Sequence, residues 1–351
     1  MRRETPQTAQ IRRITGKIMD ARITKKRLSQ MLSYDWIKIL ACIAAGIFLW
    51  SLIFTTTAAR LNPAQTFTVY AYIGTNPTGE FSSKVTSRSA LSGGFSYDVI
   101  ETSVVDLTTA GNQAYTLLEA RMGVQEGNAA FVSPRSYEID DGKGGKISRT
   151  YTEDLLLRAY SSVLSFGGPG ETAAGTSKTS FFTATENFLN LYYTQGYENA
   201  DSFNAKKAED TFRNRVKSQK DKRYKTEAKI QEGIKDEIAR IRGYRENYLA
   251  VKGYLEEGII KLEETTLTLS YSGREEKITG YFGVNLCPDE SRMGNLKNLI
   301  CYQDEDGAYT AKNMQLVLLN LLSGKYSEYS YCLYENYAFI RKIVETYRSD
   351  V

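Results

Sequence analysis

The residues able to do chemistry in this chain are carboxylates, tyrosines and a few thiols, because histidine is absent. Without imidazole there can be no Ser-His-Asp triad, no Cys-His dyad and no HExxH zinc site. No GxxxxGK[ST] or GxGxxG run occurs to cradle phosphates. Carboxylate-only chemistry, such as glycoside hydrolysis, stays open by composition. No pair of Asp or Glu is singled out by its spacing, however. Asp140 and Asp141 stand beside glycines, but no calcium-loop series of ligands follows them, so they read as a solvated turn. The expectation is a non-catalytic protein with no metal and no cofactor.

Tyrosine is the most suggestive residue type, with 25 in the chain and clusters at 192–197 and 326–337. A tyrosine ring offers an apolar face and a hydroxyl, which is how sugar and peptide clefts grip their ligands. Any single tyrosine more commonly fills a half-buried structural position. Cys42 falls in an apolar run, which leaves Cys287, Cys301 and Cys332, an odd number. Cys287 and Cys301 either pair or are small buried thiols.

These residues need elements to hold them, and the first is an apolar run. From Ile39 to Phe54 no residue is charged. With its flanks the run approaches the roughly 20 residues that span a bilayer as a helix. Tyr34, Trp36 and Lys38 suit the interface. A cleaved signal peptide is the rival reading, with Thr57-Ala58-Ala59 as small residues for cleavage. The region before the run is long for a signal's basic leader, which favours an anchor. Arg2, Arg3, Arg12, Arg13, Lys17, Arg22, Lys25, Lys26 and Arg27 precede the run, against Glu4 and Asp20. The positive-inside rule then puts the N-terminus in the cytoplasm and the rest of the chain outside, as a single-pass protein; the few cysteines, the basic tail and the lone anchor together suggest a bacterial cell surface. The basic tail would rest on anionic membrane lipids. Its Ile11, Ile14, Ile18 and Ile23 suit an amphipathic interfacial helix, and a solvated disordered tail is the alternative. The net charge of +4 comes mainly from this tail, so no nucleic-acid partner is expected.

The expected organisation is a basic tail over 1–34, a transmembrane helix over 35–57 and a linker over 58–66. An α/β lobe over 67–180, a helical region or insertion over 181–266 and a closing segment over 267–351 follow. In 66–74, Phe67, Val69, Ala71 and Ile73 alternate with Thr68, Tyr70 and Tyr72, which predicts a strand. YDVIETSVV predicts another strand. Gly111 or Asn112 then starts a helix through Tyr115 and Leu118, and AAFVS is a short buried strand. Strand, helix and strand in so short a span make a βαβ unit and hence a parallel sheet. Residues 138–150 read as a hairpin, 152–166 as a helix capped by Thr152, and 167–180 as a flexible connection.

In 230–262, Ile230, Ile234, Ile238, Ile241, Tyr244, Tyr248, Val251, Leu255, Ile259 and Leu262 recur at steps of three and four, one continuous helical stripe. With Phe203, Phe212 and Val216 this predicts either a helical hairpin turning near 219–226 or one long bent helix. The stripe reads as core or as a partner-docking face. Gly233, Gly243, Gly253 and Gly258 predict kinks or breaks. Residues 267–284 read as a hairpin around Ser272-Gly273, and both 313–324 and 326–347 read as helices.

The turn Glu126-Gly127-Asn128, followed by Ala129 to Val132, resembles the first lobe of type II periplasmic solute-binding proteins of ABC transporters. GYFGVNL (280–286) with NLKNLICYQD is similar to that family's return to the hinge. Asn128 stands where the family usually carries Asp, and the lipobox cysteine is missing, so the membrane helix would replace the lipid anchor. The resemblance implies a two-lobed α/β fold, a small-molecule ligand and a partner such as an ABC-type permease or another membrane protein. It places Tyr70, Tyr72 and Asn128 near strand ends facing the cleft. The expected function is therefore ligand capture for transport or sensing, with hinge closure as the working motion. The alternative is a structural or assembly protein of the cell envelope that docks partners through its 203–263 helices.

Overall fold

The computed structural model describes residues 25–57, 61–75, 80–87, 91–108, 113–140, 144–167, 180–271 and 274–349. The tail isoleucines, the Gly111 or Asn112 helix start, most of the 167–180 connection and the Ser272-Gly273 turn lie outside these residues.

Helix α1 (Lys25–Thr57) contains the apolar window Trp36–Ile53, of mean hydropathy 2.1, and none of that window is buried. It is one helix long and apolar enough to cross a membrane. The described helix already includes Lys25, ten residues before the expected boundary and within the basic segment.

Leu61–Val351 forms one compact unit. Its first strand, β1 (Thr66–Tyr72), is followed by α2 (Phe81–Thr86), β2 (Glu101–Asp106), α3 (Ala114–Gly123) and β3 (Ala129–Val132). β1 pairs in parallel with both β2 and β3, so the βαβ expectation holds, with β1 lying between the two strands it predates. The β1 alternation also holds. Phe67, Val69, Ala71 and Ile73 enter one core cluster, while Tyr70 enters a second on the opposite face. Both faces are covered, as a parallel strand requires.

The hairpin β4 (Ser136–Asp140) and β5 (Lys146–Thr150) stands apart as its own two-stranded sheet. It leads into α4 (Tyr151–Ala159). The cap here is Thr150, not Thr152: its hydroxyl accepts from Glu153 N, and Glu153 Oε2 accepts from Thr150 N. Thr152 instead donates its hydroxyl to Ser133 O. This reciprocal pair satisfies two donors that a lone cap would leave open.

α5 (Phe181–Asn190), α6 (Ala205–Gln219) and α7 (Glu227–Glu256) follow. Between the hairpin and the single bent helix, the hairpin is what forms. α6 ends at Lys220 in the left-handed region, and Thr226 caps α7 by accepting from Lys229 N. Ile234, Ile241, Tyr244, Tyr248 and Val251 of the stripe are buried. Most of them join the cluster that holds β1, so the stripe is core.

The expected glycine breaks are absent along α7, which runs 30 residues through Gly243 and Gly253. It stops only before Gly258, whose φ of +68° suits a helix C-terminus. Gly233 has a different purpose. A Cβ there would lie 2.4 Å from the Phe212 ring and 2.5 Å from the Tyr224 ring, so its bare backbone lets α6 and the connecting turn close on α7. Nothing lies within 4 Å of a Cβ added at Gly243. Gly233→Ala is therefore expected to destabilise by about 1–3 kcal/mol through overpacking. Gly243→Ala should stabilise by about 0.5–1 kcal/mol through reduced chain entropy and better helix propensity. Thermal unfolding of both variants beside the parent checks the opposite signs.

β6 (Lys261–Tyr271) and β7 (Arg274–Asn285) form the expected hairpin, with a register shift between Leu262 and Glu264. After α8 (Glu290–Met293) and the small β8 (Tyr302–Gln303) and β9 (Tyr309–Thr310) ribbon comes β10 (Gln315–Leu318). Here the sequence reading of 313–324 as a helix is corrected: the segment is a central strand, antiparallel to β3 and to β7. Every residue of β10 is buried. An apolar run covered on both faces carries no period to distinguish strand from helix. The expected helix over 326–347 is also divided. Gly324–Tyr334 is 3-10, and only α9 (Glu335–Tyr347) is α-helical.

The main sheet has the order β2-β1-β3-β10-β7-β6, a mixed sheet. α2, α5, α6, α7 and α9 cover one face, while α3 and α4 cover the other. Cys287, Cys301 and Cys332 are free, and burial pushes the thiols of Cys287 and Cys332 up to about 12.

Candidate functional site

The residues first singled out are largely absorbed by the fold. Asn128 accepts at Oδ1 from Thr68 N at 2.8 Å, and its own N–H donates to Thr68 O at 2.9 Å. It therefore locks the entry of β3 to β1. Tyr70 is fully buried, and its hydroxyl donates to Glu126 O. Tyr72 lies elsewhere, at the end of β1, donating to Asp154 Oδ2 at 2.9 Å and meeting the Tyr137 hydroxyl at 3.2 Å. Asp154 is fully buried and also binds Arg158 and Arg149. Burial opposes its charge, yet the Arg158 hydrogen bond prevails and holds the carboxyl below its ordinary range. The structure thus puts Tyr70 and Asn128 near one turn and Tyr72 in a separate ionic cluster.

A different site lies where four distant segments meet: residues 94–98, α6 with its following turn, α7, and the 3-10 segment running into α9. Glu237, wholly buried on α7, is its centre. Arg215 of α6 donates to it through both terminal nitrogens at 2.9 and 2.7 Å, and Arg240 donates through Nε at 2.9 Å. Tyr97 adds its hydroxyl at 3.2 Å. The Tyr331 ring lies between the two guanidiniums, 4.6 Å from Arg215 and 4.2 Å from Arg240. Burial works against the charged form of Glu237, but the two arginines outweigh it and hold the carboxyl down at about 2. Alongside, buried Asp98 accepts from Arg223 at 3.1 Å, and Arg223 also pairs with Asp221 at 2.8 Å.

A second carboxyl is placed differently. Glu335, at the first turn of α9, is 2% exposed. It accepts from Ser96 N at 3.1 Å, from the Ser96 hydroxyl and from Tyr244 OH at 2.7 Å. Arg240 reaches it only through Tyr244, to whose hydroxyl it donates at 3.1 Å. Burial therefore dominates and raises the Glu335 carboxyl above its ordinary value. An acid with a raised folded pKa holds its proton better when folded, so stability falls as pH rises above the unfolded value. Glu335→Gln keeps the acceptor oxygen without the titration. Its stability relative to the parent is expected to improve as pH rises from about 4.5 toward neutrality, read by thermal unfolding across that range.

Beside this network is a cavity of about 250 Å³, lined among others by Phe95, Tyr97, Asp236, Tyr244, Asn247 and Glu335. Gly243 leaves its wall open, with nothing within 4 Å of an added Cβ. Asp236 is half-buried, and no side chain among the described residues pairs with it. Burial, with the nearby Glu232 and Asp98 carboxylates, raises its carboxyl above the ordinary range. A second recess of about 460 Å³ lies on the other side of Arg240, between Phe188, Tyr192, Arg215 and Tyr331. Among the described residues no group of three or more His, Cys, Asp or Glu could hold a metal ion.

Sequence reasoning missed this site, although one signal for it was present. Glu237 occupies a core step of the α7 stripe, three residues after Ile234 and four before Ile241. A charge at that step announces a buried partner. Comparison of the chain with protein-family models, with curated proteins and with solved structures returns no match.

Proposed function

We propose that this chain is a membrane-anchored, non-catalytic capture protein, its N-terminus cytoplasmic and its folded unit outside the cell. It would take a small solute and present it to a membrane partner such as a permease. The observation that carries this reading is the cavity between residues 94–97, α7 and the start of α9. It is of small-molecule size, and convergent polar groups and rings line it. The resemblance to type II solute-binding proteins supports the same class. The two-lobed, hinged form of that class is not needed: Leu61–Val351 is one compact unit, and capture here uses a cavity inside it.

The rival, a scaffold docking through 203–263, is weakened by the burial of the α7 stripe. A docking surface on these helices would have to use their charged outer face.

The test uses the full-length protein in lipid nanodiscs, screened by thermal shift against saturating amino acids, sugars, short peptides and amines. A ligand at a hundred times its Kd stabilises by about 2.7 kcal/mol. Gly243→Leu fills the cavity from an open position and is expected to abolish the shift while the protein stays folded. A panel without any shift, or a shift that survives Gly243→Leu, removes this reading. Protease added to intact cells should digest the folded unit, and protection of that unit would reverse the orientation.

A further inference from the structure

We infer that the cavity beside α7 takes a small organic cation, an amine held between Asp236 and Glu335 against the rings of Phe95 and Tyr97. The inference rests on the capture reading above and names its ligand class.

The first argument is charge. In and beside the cavity Arg215, Arg223 and Arg240 face Asp98, Asp221, Asp236, Glu237 and Glu335. The carboxyls outnumber the guanidiniums. The guanidiniums are also already committed. Arg215 and Arg240 share Glu237, and Arg223 bridges Asp98 and Asp221. Arg341, near the rim through its contact with Asn247, is paired with Glu345. Asp236 and Glu335, which line the cavity together with Arg240, make no ion pair with a side chain among the described residues. A carboxylate removed from water needs a partner or gives up its charge.

The second argument is the wall. Tyr244 is fully buried, and Phe95 is fixed by Phe67 at 4.4 Å and by Phe339, nearly parallel, at 6.0 Å. The Tyr244 ring already carries the Arg240 guanidinium at 5.1 Å, so the rings of Phe95 and Tyr97 are the ones left to attract an ammonium group. Arg240 also lines the cavity, but its nitrogens already serve Glu237 and Tyr244 and are not offered to an anionic ligand. The size of about 250 Å³ admits a short-chain amine.

The probes are 1,4-diaminobutane as cation, 1,4-butanediol as its neutral counterpart and succinate as its anionic one. Titration calorimetry on full-length protein in nanodiscs is run for the parent, Asp236→Asn and Gly243→Leu. The diamine should bind the parent, lose at least tenfold in affinity with Asp236→Asn and fail to bind Gly243→Leu. The diol and succinate should not bind. Binding of either at the affinity of the diamine, or a diamine affinity indifferent to Asp236→Asn, overturns the cation class while leaving capture in place. Failure of all three probes, beside a Gly243→Leu-sensitive hit in the broader screen that is not an amine, also overturns the class alone. Failure in both experiments removes the capture reading itself.

Discussion

Replacing Glu237 by glutamine is expected to lower the stability of the folded unit by about 3–5 kcal/mol, the range for breaking a buried ion pair on one side. The reason is that one carboxylate serves two cations. Arg215 and Arg240 both depend on Glu237, and Arg240 is 3% exposed, so water cannot take the place of the lost charge. The amide would also turn its own N–H groups toward guanidinium donors. Thermal unfolding should shift down by about 10 °C in a unit of this size. Replacing Glu237, Arg215 and Arg240 together with apolar residues of similar volume should recover much of the loss, because the cost lies in the unpaired charge. Equal losses in the single and triple variants would mean that packing, not charge, holds these helices. The same carboxyl gives an acid limb. Its folded pKa is depressed to about 2, so its stabilisation is complete above pH 4.5 and is lost as pH falls toward 2. The glutamine variant should lack that limb.

Phe339→Ala is expected to cost about 3–5 kcal/mol, the range for deleting a fully buried phenylalanine. Phe339 is 0% exposed and meets Phe67, Phe95 and Phe131 at ring distances of 5.2, 6.0 and 6.1 Å. It thereby joins α9 to β1 and β3 and backs the ring that walls the cavity. The loss should be larger than for Phe339→Leu, which keeps most of the volume. On the capture reading proposed above, ligand affinity should fall in Phe339→Ala even at temperatures where the variant is fully folded, because Phe95 loses its support. An unchanged affinity would show that the 94–97 wall is held by Glu335 and Ser96 alone.

Local physics made much of this fold readable. β1 announced itself by strict alternation, the β2–α3–β3 unit by its punctuation, and the α6–α7 pair by a stripe at helical spacing. β10 was not readable, because four residues covered on both faces show no period. The unbroken course of α7 through Gly243 and Gly253 was not readable either. A glycine's cost of about 1 kcal/mol is small beside the burial of Ile241, Tyr244, Tyr248 and Val251 on the same helix. The candidate site was the least legible part. Ser96, Arg215, Glu237 and Glu335 are brought together only by tertiary packing, and sequence proximity links only Glu237 and Arg240. Asn128 drew attention through its turn, and its side chain and backbone are both bonded to Thr68 of β1.

β6 closes one side of the sheet, and among the described residues no strand flanks it beyond β7. Its outermost turns carry Lys261, Glu263 and Glu264, all exposed, beside the irregularity at Leu262. Exposed charges and a bend keep an open ladder from templating a neighbour. This rim is a safeguard against strand-to-strand aggregation between copies of the chain.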